Sequence, residues 1–168
     1  MNPLSWSFRV SFSVAAATTA TLIAFALYVQ HGQGLEPCPL CIFQRYAFFA
    51  FLLVCIGAAL HAPAGAFGRG VWGLLAMASA ATGAGFAIRH LWLQSQPSDP
   101  LAACAPSLDF MWETMPFANV LTKVFSGSAD CTKVDWAFLG LSMPGWTLVW
   151  FAIFFIGAAY YGFRRYPR

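Results

Sequence analysis

The sequence carries very little charge. Only 9% of its 168 residues are Asp, Glu, Lys or Arg, whereas an ordinary soluble domain has about 25%. Six acids and nine bases are too few to cover the surface of a soluble globule of this length. The bases are scattered and form no stripe that could follow a phosphate backbone, so we expect no nucleic-acid binding. Disorder is excluded as well, because 60% of the residues are hydrophobic and 17% are aromatic. These figures indicate an integral membrane protein.

Long uncharged stretches divide the chain. A helix needs roughly 20 predominantly apolar residues to cross the hydrocarbon core of a bilayer. Segments of that kind lie at 12–30, 43–60, 70–88 and 145–163. The third is rich in Gly, Ala and Ser, small residues that let neighbouring helices approach closely. The sequence therefore predicts an all-α integral membrane fold, a four-transmembrane-helix bundle that forms a single domain over residues 1–168.

The segments between the spans differ in charge. The N-terminal tail, the 61–69 link and the C-terminus contain five arginines and no acid, whereas loops 31–42 and 89–144 contain all six acids. The positive-inside tendency then places both termini in the cytoplasm and these two loops in the periplasm. Arg45 and Arg89 count against this orientation, since both lie near span ends on the outer side.

The long loop 89–144 has two features of its own. After Pro116, apolar residues recur at helical spacing (Phe117, Val120, Leu121, Val124 and Phe125). This pattern predicts a short amphipathic helix in the membrane interface. Around Cys104, three prolines favour extended backbone, which the peptide groove of a partner protein could accept.

Four of the five cysteines lie outside the spans or at their outer edge: Cys38, Cys41, Cys104 and Cys131. Disulfides form and persist on the oxidising side of a membrane. The four thiols divide into a tight CxxC and a distant pair, which suggests two disulfides. Cys55 lies in the middle of the second span, and we expect it to behave as a small, inert hydrophobe.

The CxxC, Cys38-Pro39-Leu40-Cys41, lies where an outer loop enters the second span. Cys41 is therefore close to a helix N-terminus, where unpaired N–H groups and the helix dipole stabilise a thiolate. Arg45 follows four residues later on the same helix face and would favour the thiolate further. An arginine at membrane depth is costly, which makes Arg45 a functional candidate. The alternative for Arg45 is an interfacial anchor.

Residues near the outer end of the third span offer one more candidate. His90 could donate a hydrogen bond to the carbonyl of a ligand, with Arg89 nearby. Equally, both side chains could be headgroup anchors beside Trp92 in the aromatic belt.

Other uses of a CxxC fit less well. Haem attachment needs a His directly after the second Cys, where this chain has Ile42. A thioredoxin-like domain needs a βαβ context, which the sequence lacks. A zinc site built from all four outer cysteines stays open, although the spacing of Cys104 and Cys131 is unlike a second short knuckle. We expect no metal.

The run EPCPLCIFQRYAFF, the four spans, the loop between Cys104 and Cys131, and the stretch DWAFLGLSMPGW are similar to the DsbB family of membrane disulfide bond formation proteins. The resemblance covers nearly the whole chain. Its most specific part is the CxxC with an arginine one turn later. Gln44 is a departure, since some relatives carry an acid at that position.

The resemblance implies a membrane disulfide oxidoreductase of the bacterial inner membrane. Such an enzyme reoxidises a soluble periplasmic thiol oxidase of the DsbA kind and passes the electrons to a membrane quinone, ubiquinone or menaquinone. Cys38 and Cys41 would be the quinone-coupled pair, and Cys104 and Cys131 the partner-facing pair. Arg45 would lie at the quinone site, and by a weaker correspondence so would His90.

Two alternatives belong to other classes. An enzyme like vitamin K epoxide reductase also combines a four-helix bundle, redox cysteines and a quinone, but that family places its CxxC late in the chain. A non-catalytic membrane protein with two structural disulfides is the other alternative. Arg45 and the position of the CxxC at a helix mouth argue against it.

Overall fold

The computed structural model of this chain describes residues 7–34, 37–96, 108–126 and 137–164. In chain order its elements are α1 Phe8–Gln33, α2 Pro39–His61, α3 Ala66–Gln94, α4 Leu108–Thr114, α5 Phe117–Ser126, β1 Ala137–Phe138, β2 Leu141–Ser142 and α6 Met143–Phe163. Helices α1, α2, α3 and α6 are long and apolar enough to cross a membrane. The predicted all-α membrane fold with four spanning helices is confirmed.

Each spanning helix begins earlier than the span predicted from the sequence, and α1, α2 and α3 also end later. The largest difference is at α3, which continues to Gln94 through residues expected to belong to the 89–144 loop. The physical reason is that hydropathy marks only the part of a helix that lies in hydrocarbon. The helical backbone continues into the more polar interface.

The four spanning helices differ in how many neighbours they pack against. Helix α3 packs along both α2 and α6, whereas α1 packs mainly along α2. Large aromatic side chains fill the centre, where Phe48 stacks on Phe151 and Phe51 stacks on Phe154. Cys55 is fully buried in this core, in the apolar surroundings predicted for it.

The contact between α3 and α6 depends on glycine. A Cβ atom added to Gly73 would lie 2.9 Å from the Cα of Gly162, and one added to Gly162 would lie 2.8 Å from the Cα of Gly73. At Gly83 the ring of Phe151 occupies the space that a side chain would need. The small residues of α3 therefore permit the close approach that its composition predicts.

The predicted short helix, α5, is present after α3, and with α4 it covers the end of the bundle where α2 begins. Val120 and Val124 of α5 are buried, in a cluster that also contains Met111 of α4. The same cluster includes Leu40 and Phe43 from the first turns of α2, with Leu93 at the end of α3. The apolar face of α5 therefore packs over the end of α2 that carries the CxxC.

The opposite end of the bundle is basic. The guanidinium of Arg9 donates to the carbonyl of Ala59 at 2.9 Å, near the C-terminal end of α2. Arg69 lies in the first turn of α3, and Arg164 directly follows α6. These three arginines therefore lie at the end of the bundle remote from Cys38 and His90.

Candidate functional site

Cys38 and Cys41 lie at the N-terminus of α2. Cys38 is the N-cap residue, with extended backbone, and Pro39 occupies the first helical turn. Proline suits that position, because its fixed φ matches the helix and its missing N–H would have no partner there. Cys41 is thus in the first turn, among the N–H groups that have no intrahelical acceptor. The location predicted for the CxxC is the one observed.

The two sulfur atoms are close. Cys38 and Cys41 are both half-buried, and their Sγ atoms lie 3.2 Å apart. A disulfide bond is about 2.05 Å long, so a small rotation of the side chains would bring the sulfurs to bonding distance. The pair can therefore alternate between dithiol and disulfide with little movement of the backbone.

His90 of α3 lies against both cysteines. Its Nε2 is 3.8 Å from the Cys38 Sγ, and its Nδ1 is 3.9 Å from the Cys41 Sγ. Only 3% of the residue is exposed. A headgroup anchor would have its polar atoms in the interface, so the buried position contradicts that alternative for His90.

Arg89 has different surroundings from its neighbour. Its Nε donates to the carbonyl of Phe125 at 2.8 Å, which ties α3 to α5. Its guanidinium also lies over the ring of Trp92, 4.2 Å from the centroid. Arg89 therefore helps to hold α5 against α3. Of the two residues, His90 is the one that contacts Cys38 and Cys41.

Gln44 is the next buried polar residue of α2. Its Nε2 lies 3.3 Å from the Nδ1 of His90, and its Oε1 lies 2.6 Å from the hydroxyl of Thr147 on α6. Gln44 is 3% exposed. Hydrogen bonds thus connect α6, α2 and α3 close to the CxxC.

Arg45 faces α1. Its guanidinium donates to the side-chain oxygen of Gln30 and, at 3.2 Å, to the carbonyl of Ala26. The guanidinium also interacts electrostatically with Cys41, one turn nearer the helix N-terminus. Arg45 is therefore held between α1 and the cysteine pair, a more specific position than that of an interfacial anchor.

Cys104 and Cys131 lie outside the described residues, as does the proline-rich segment around Cys104. Their pairing and their predicted contact with a partner stay predictions. Of the six candidate site residues, the structure brings Cys38, Cys41, Arg45 and His90 together.

Cys38, Cys41 and His90 also present three donor atoms within 4.8 Å of one another. A structural zinc site needs four ligands in tetrahedral geometry. Within the part of the chain that the structure describes, no fourth Cys, His, Asp or Glu joins this group. The donor set fits a redox-active cysteine pair better than a closed metal site.

Sequence reasoning missed Thr147 and gave Gln44 no role. Thr147 is the only Ser or Thr between Met143 and Phe163. A lone hydroxyl in an apolar span is a signal that could have been used, because buried polar groups need hydrogen-bond partners. The sequence did not reveal that its partner lies 103 positions earlier in the chain.

The sequence profile described as "Disulfide bond formation protein DsbB" matches residues 8–161 of this chain. The chain belongs to the DsbB family. It is 48% identical over 169 residues to Disulfide bond formation protein B of Xanthomonas campestris pv. campestris (strain 8004), covering all of this chain and 98% of that protein. The protein of the same name from Marinobacter nauticus is 46% identical over 164 residues, covering 97% and 95% of the two chains.

A third relative, Disulfide bond formation protein B of Stutzerimonas stutzeri (strain A1501), is 48% identical over 143 residues, covering 85% of this chain and 87% of that protein. Membership confirms the family that the CxxC run and the four spans indicated. This DsbB-family chain is accordingly a multi-pass membrane protein of disulfide bond formation, with thiol oxidoreductase activity.

Proposed function

We propose that this DsbB-family protein reoxidises a soluble periplasmic thiol oxidase of the DsbA kind and passes the electrons to a membrane quinone. The observation that carries the proposal is the Cys38–Cys41 pair, with sulfurs 3.2 Å apart at the mouth of a membrane-spanning helix. A pair at the end of a spanning helix would be within reach of a dithiol from the aqueous side and of an acceptor from the lipid. Family membership favours this function over the vitamin-K-epoxide-reductase-like and purely structural alternatives.

The residues of α2 fit a quinone. Cys41, Arg45 and Phe49 follow one another at intervals of four, so they share one face of the helix. Arg45 has five N–H donors, and the contacts above use only part of that capacity, so it can also bind a quinone carbonyl. Phe49 is 41% exposed and offers an apolar surface to a ring or an isoprenoid tail. When bound, a quinone supplies the acceptor that takes two electrons and two protons as the Cys38–Cys41 dithiol becomes a disulfide.

The cysteines would act as a relay. A thiolate of the reduced partner attacks Cys104, which forms a mixed disulfide and releases Cys131. The second thiol of the partner then resolves that bond, and the partner leaves oxidised. Cys131 attacks Cys38, a Cys38–Cys131 disulfide forms, the Cys38–Cys41 bond breaks, and its electron pair goes to Cys41. The helix N-terminus and Arg45 stabilise the thiolate of Cys41, which suits it as the leaving group.

The function is tested by mixing catalytic amounts of purified protein with a reduced DsbA-type protein and a short-chain ubiquinone. We expect the partner to become oxidised while an equal amount of quinone is consumed. Oxidation of the partner at the uncatalysed rate, with both a ubiquinone and a menaquinone analogue, would contradict the proposal.

The proposed orientation places the termini in the cytoplasm and the four outer cysteines in the periplasm. After reduction of intact spheroplasts, we expect a membrane-impermeant maleimide to label Cys38, Cys41, Cys104 and Cys131. Cys55 serves as the internal control, because it is fully buried in the core. Labelling of the outer cysteines only after permeabilisation would reverse the orientation.

The proposed role of Arg45 predicts a specific kinetic change. The Arg45→Ala variant should raise the KM for quinone, because a cationic donor at the binding site is lost. By analogy with truncating one member of a buried charge pair, the loss is about 2–4 kcal/mol, or roughly 30- to 1,000-fold in affinity. Steady-state kinetics with a short-chain ubiquinone measure this change.

Gln30→Leu is the matched control, because it removes the side-chain contact between Arg45 and α1 and keeps both the guanidinium and its bond to the carbonyl of Ala26. We expect its KM for quinone to change far less than that of Arg45→Ala. If the two variants had equal KM values and equal losses of thermal stability, Arg45 would be only a link between α1 and α2.

A further inference from the structure

Three polar side chains form a continuous hydrogen-bonded chain inside the bundle. It runs from the hydroxyl of Thr147 through the amide of Gln44 to the ring of His90, and the far side of that ring meets Cys38. Gln44 and His90 are each 3% exposed, so water has little access to them. The direction in which each hydrogen bond runs therefore depends on the side chains themselves.

The amide of Gln44 is oriented by Thr147. The contact between the Thr147 hydroxyl and Gln44 is 2.6 Å long, a length typical of O–H···O bonds and short for N–H···O bonds. The amide oxygen therefore faces Thr147. The hydroxyl also lies 2.9 Å from the carbonyl of Pro144, which is the longer of its two contacts. We therefore assign the hydroxyl proton to the shorter contact, with Gln44.

The orientation of Gln44 then fixes the tautomer of His90. With its oxygen turned to Thr147, the amide presents an N–H to the Nδ1 of His90 at 3.3 Å. A neutral imidazole has one donor and one acceptor nitrogen, so Nδ1 accepts and the proton is on Nε2. Nε2 is the nitrogen that faces the Cys38 Sγ, at 3.8 Å. Nδ1 is 3.9 Å from Cys41, but its lone pair is already occupied.

We propose that Thr147 and Gln44 are positioning residues that hold His90 as the Nε2–H tautomer, so that His90 donates a hydrogen bond to Cys38 and offers none to Cys41. This inference rests on the proposed relay. In the step that would complete that relay, Cys104 attacks Cys131 of the Cys38–Cys131 disulfide, a Cys104–Cys131 bond forms, and the electron pair of the broken bond goes to Cys38. The N–H of His90 stabilises that thiolate. Different groups thereby stabilise the two thiolates: His90 stabilises that of Cys38, and the helix N-terminus with Arg45 stabilises that of Cys41.

The test measures each cysteine alone. In one background Cys38 is the single thiol, in the other Cys41 is, and the remaining cysteines are replaced by Ser or Ala. Thr147→Val removes the hydroxyl with almost no change in shape, and Thr147→Ser keeps it. We expect Thr147→Val to slow iodoacetamide alkylation of Cys38 at neutral pH about tenfold, the equivalent of about 1.4 kcal/mol. Thr147→Ser should stay within about twofold of the parent.

Alkylation of Cys41 separates positioning from a general structural effect. Its rate should be the same in the Thr147→Val and Thr147→Ser variants. Equal slowing of Cys38 and Cys41 by Thr147→Val, or no slowing of either, would overturn the proposal.

The tautomer itself can be observed in the full-length protein without any change at Thr147. In a sample labelled with ¹⁵N-histidine, the chain has three histidines, and the His90 signals are assigned by their loss in His90→Gln. We expect His90 to show a protonated Nε2 and an unprotonated Nδ1, and the opposite pattern would overturn the proposal. Neither measurement uses quinone or partner, so a protein that fails to reduce quinone but shows this tautomer would refute the proposed function alone.

Discussion

The Cys41→Ser variant is expected to lose quinone-coupled oxidation of the partner by at least about a thousandfold. A serine hydroxyl cannot form a disulfide, so no electron pair can leave the Cys38–Cys41 site. Because the two cysteines act as one unit, Cys38→Ser should cost about as much, and the double variant should be no worse than either single variant. Stopped-flow absorbance of the quinone measures all three.

Cys55→Ala is the control for the loss of a thiol. Cys55 is buried in the apolar core, in the C-terminal half of α2 and away from the paired sulfurs at its N-terminus. We expect it to keep near-normal turnover, with a modest loss of thermal stability from the smaller side chain. Retention of substantial turnover in Cys41→Ser would show that electrons leave by a route other than this pair.

The second large effect is a loss of stability of the helix bundle. Gly73→Val should strongly destabilise the protein, because the new side chain would meet the backbone of Gly162, which cannot move aside as a flexible side chain can. Overpacking a tight contact costs about 1–3 kcal/mol, and a contact with backbone belongs at or above the upper end of that range. Thermal unfolding in detergent, followed by circular dichroism, measures the change.

Gly85→Val is the matched control on the same helix, since a Cβ atom at Gly85 would meet no atom within 4 Å. Its midpoint of unfolding should stay close to that of the parent. If Gly73→Val and Gly85→Val unfolded at the same temperature, the close approach of α3 and α6 would not contribute to stability.

Most of the fold could be predicted from the sequence because membrane spans are a local property. Each span is read from a window of about 20 residues, and the periodic apolar residues after Pro116 likewise predicted α5. The tight hairpin of β1 and β2 gave no such signal. Its turn places Leu139 and Gly140 at positive φ, 51° and 80°, where Asn-Gly or Asp-Gly is the usual pair. The turn therefore depends on the surrounding structure more than on its own residues.

The candidate site likewise contains some residues whose positions follow from local sequence and others whose positions depend on the packing of distant helices. The positions of Cys38, Cys41 and Arg45 relative to one another follow from helical spacing along α2, so the sequence predicted them. His90 is 52 residues from Cys38, and only the packing of α3 against α2 brings its ring to the sulfur. The sequence left two roles open for His90, contact with a ligand or anchoring at the lipid headgroups. The burial of His90 argues against the role of headgroup anchor.

The most direct test of the account is a single-turnover measurement on the dithiol form of Cys38 and Cys41. Reduced protein in detergent, with Cys104, Cys131 and Cys55 replaced by Ser or Ala, is mixed anaerobically with one equivalent of a short-chain ubiquinone. Free thiols are then alkylated, and the peptide that contains Cys38 and Cys41 is weighed by mass spectrometry. The account predicts that this peptide becomes an unalkylated internal disulfide as one equivalent of quinone is reduced. Two alkylated cysteines in the presence of unreduced quinone would contradict it.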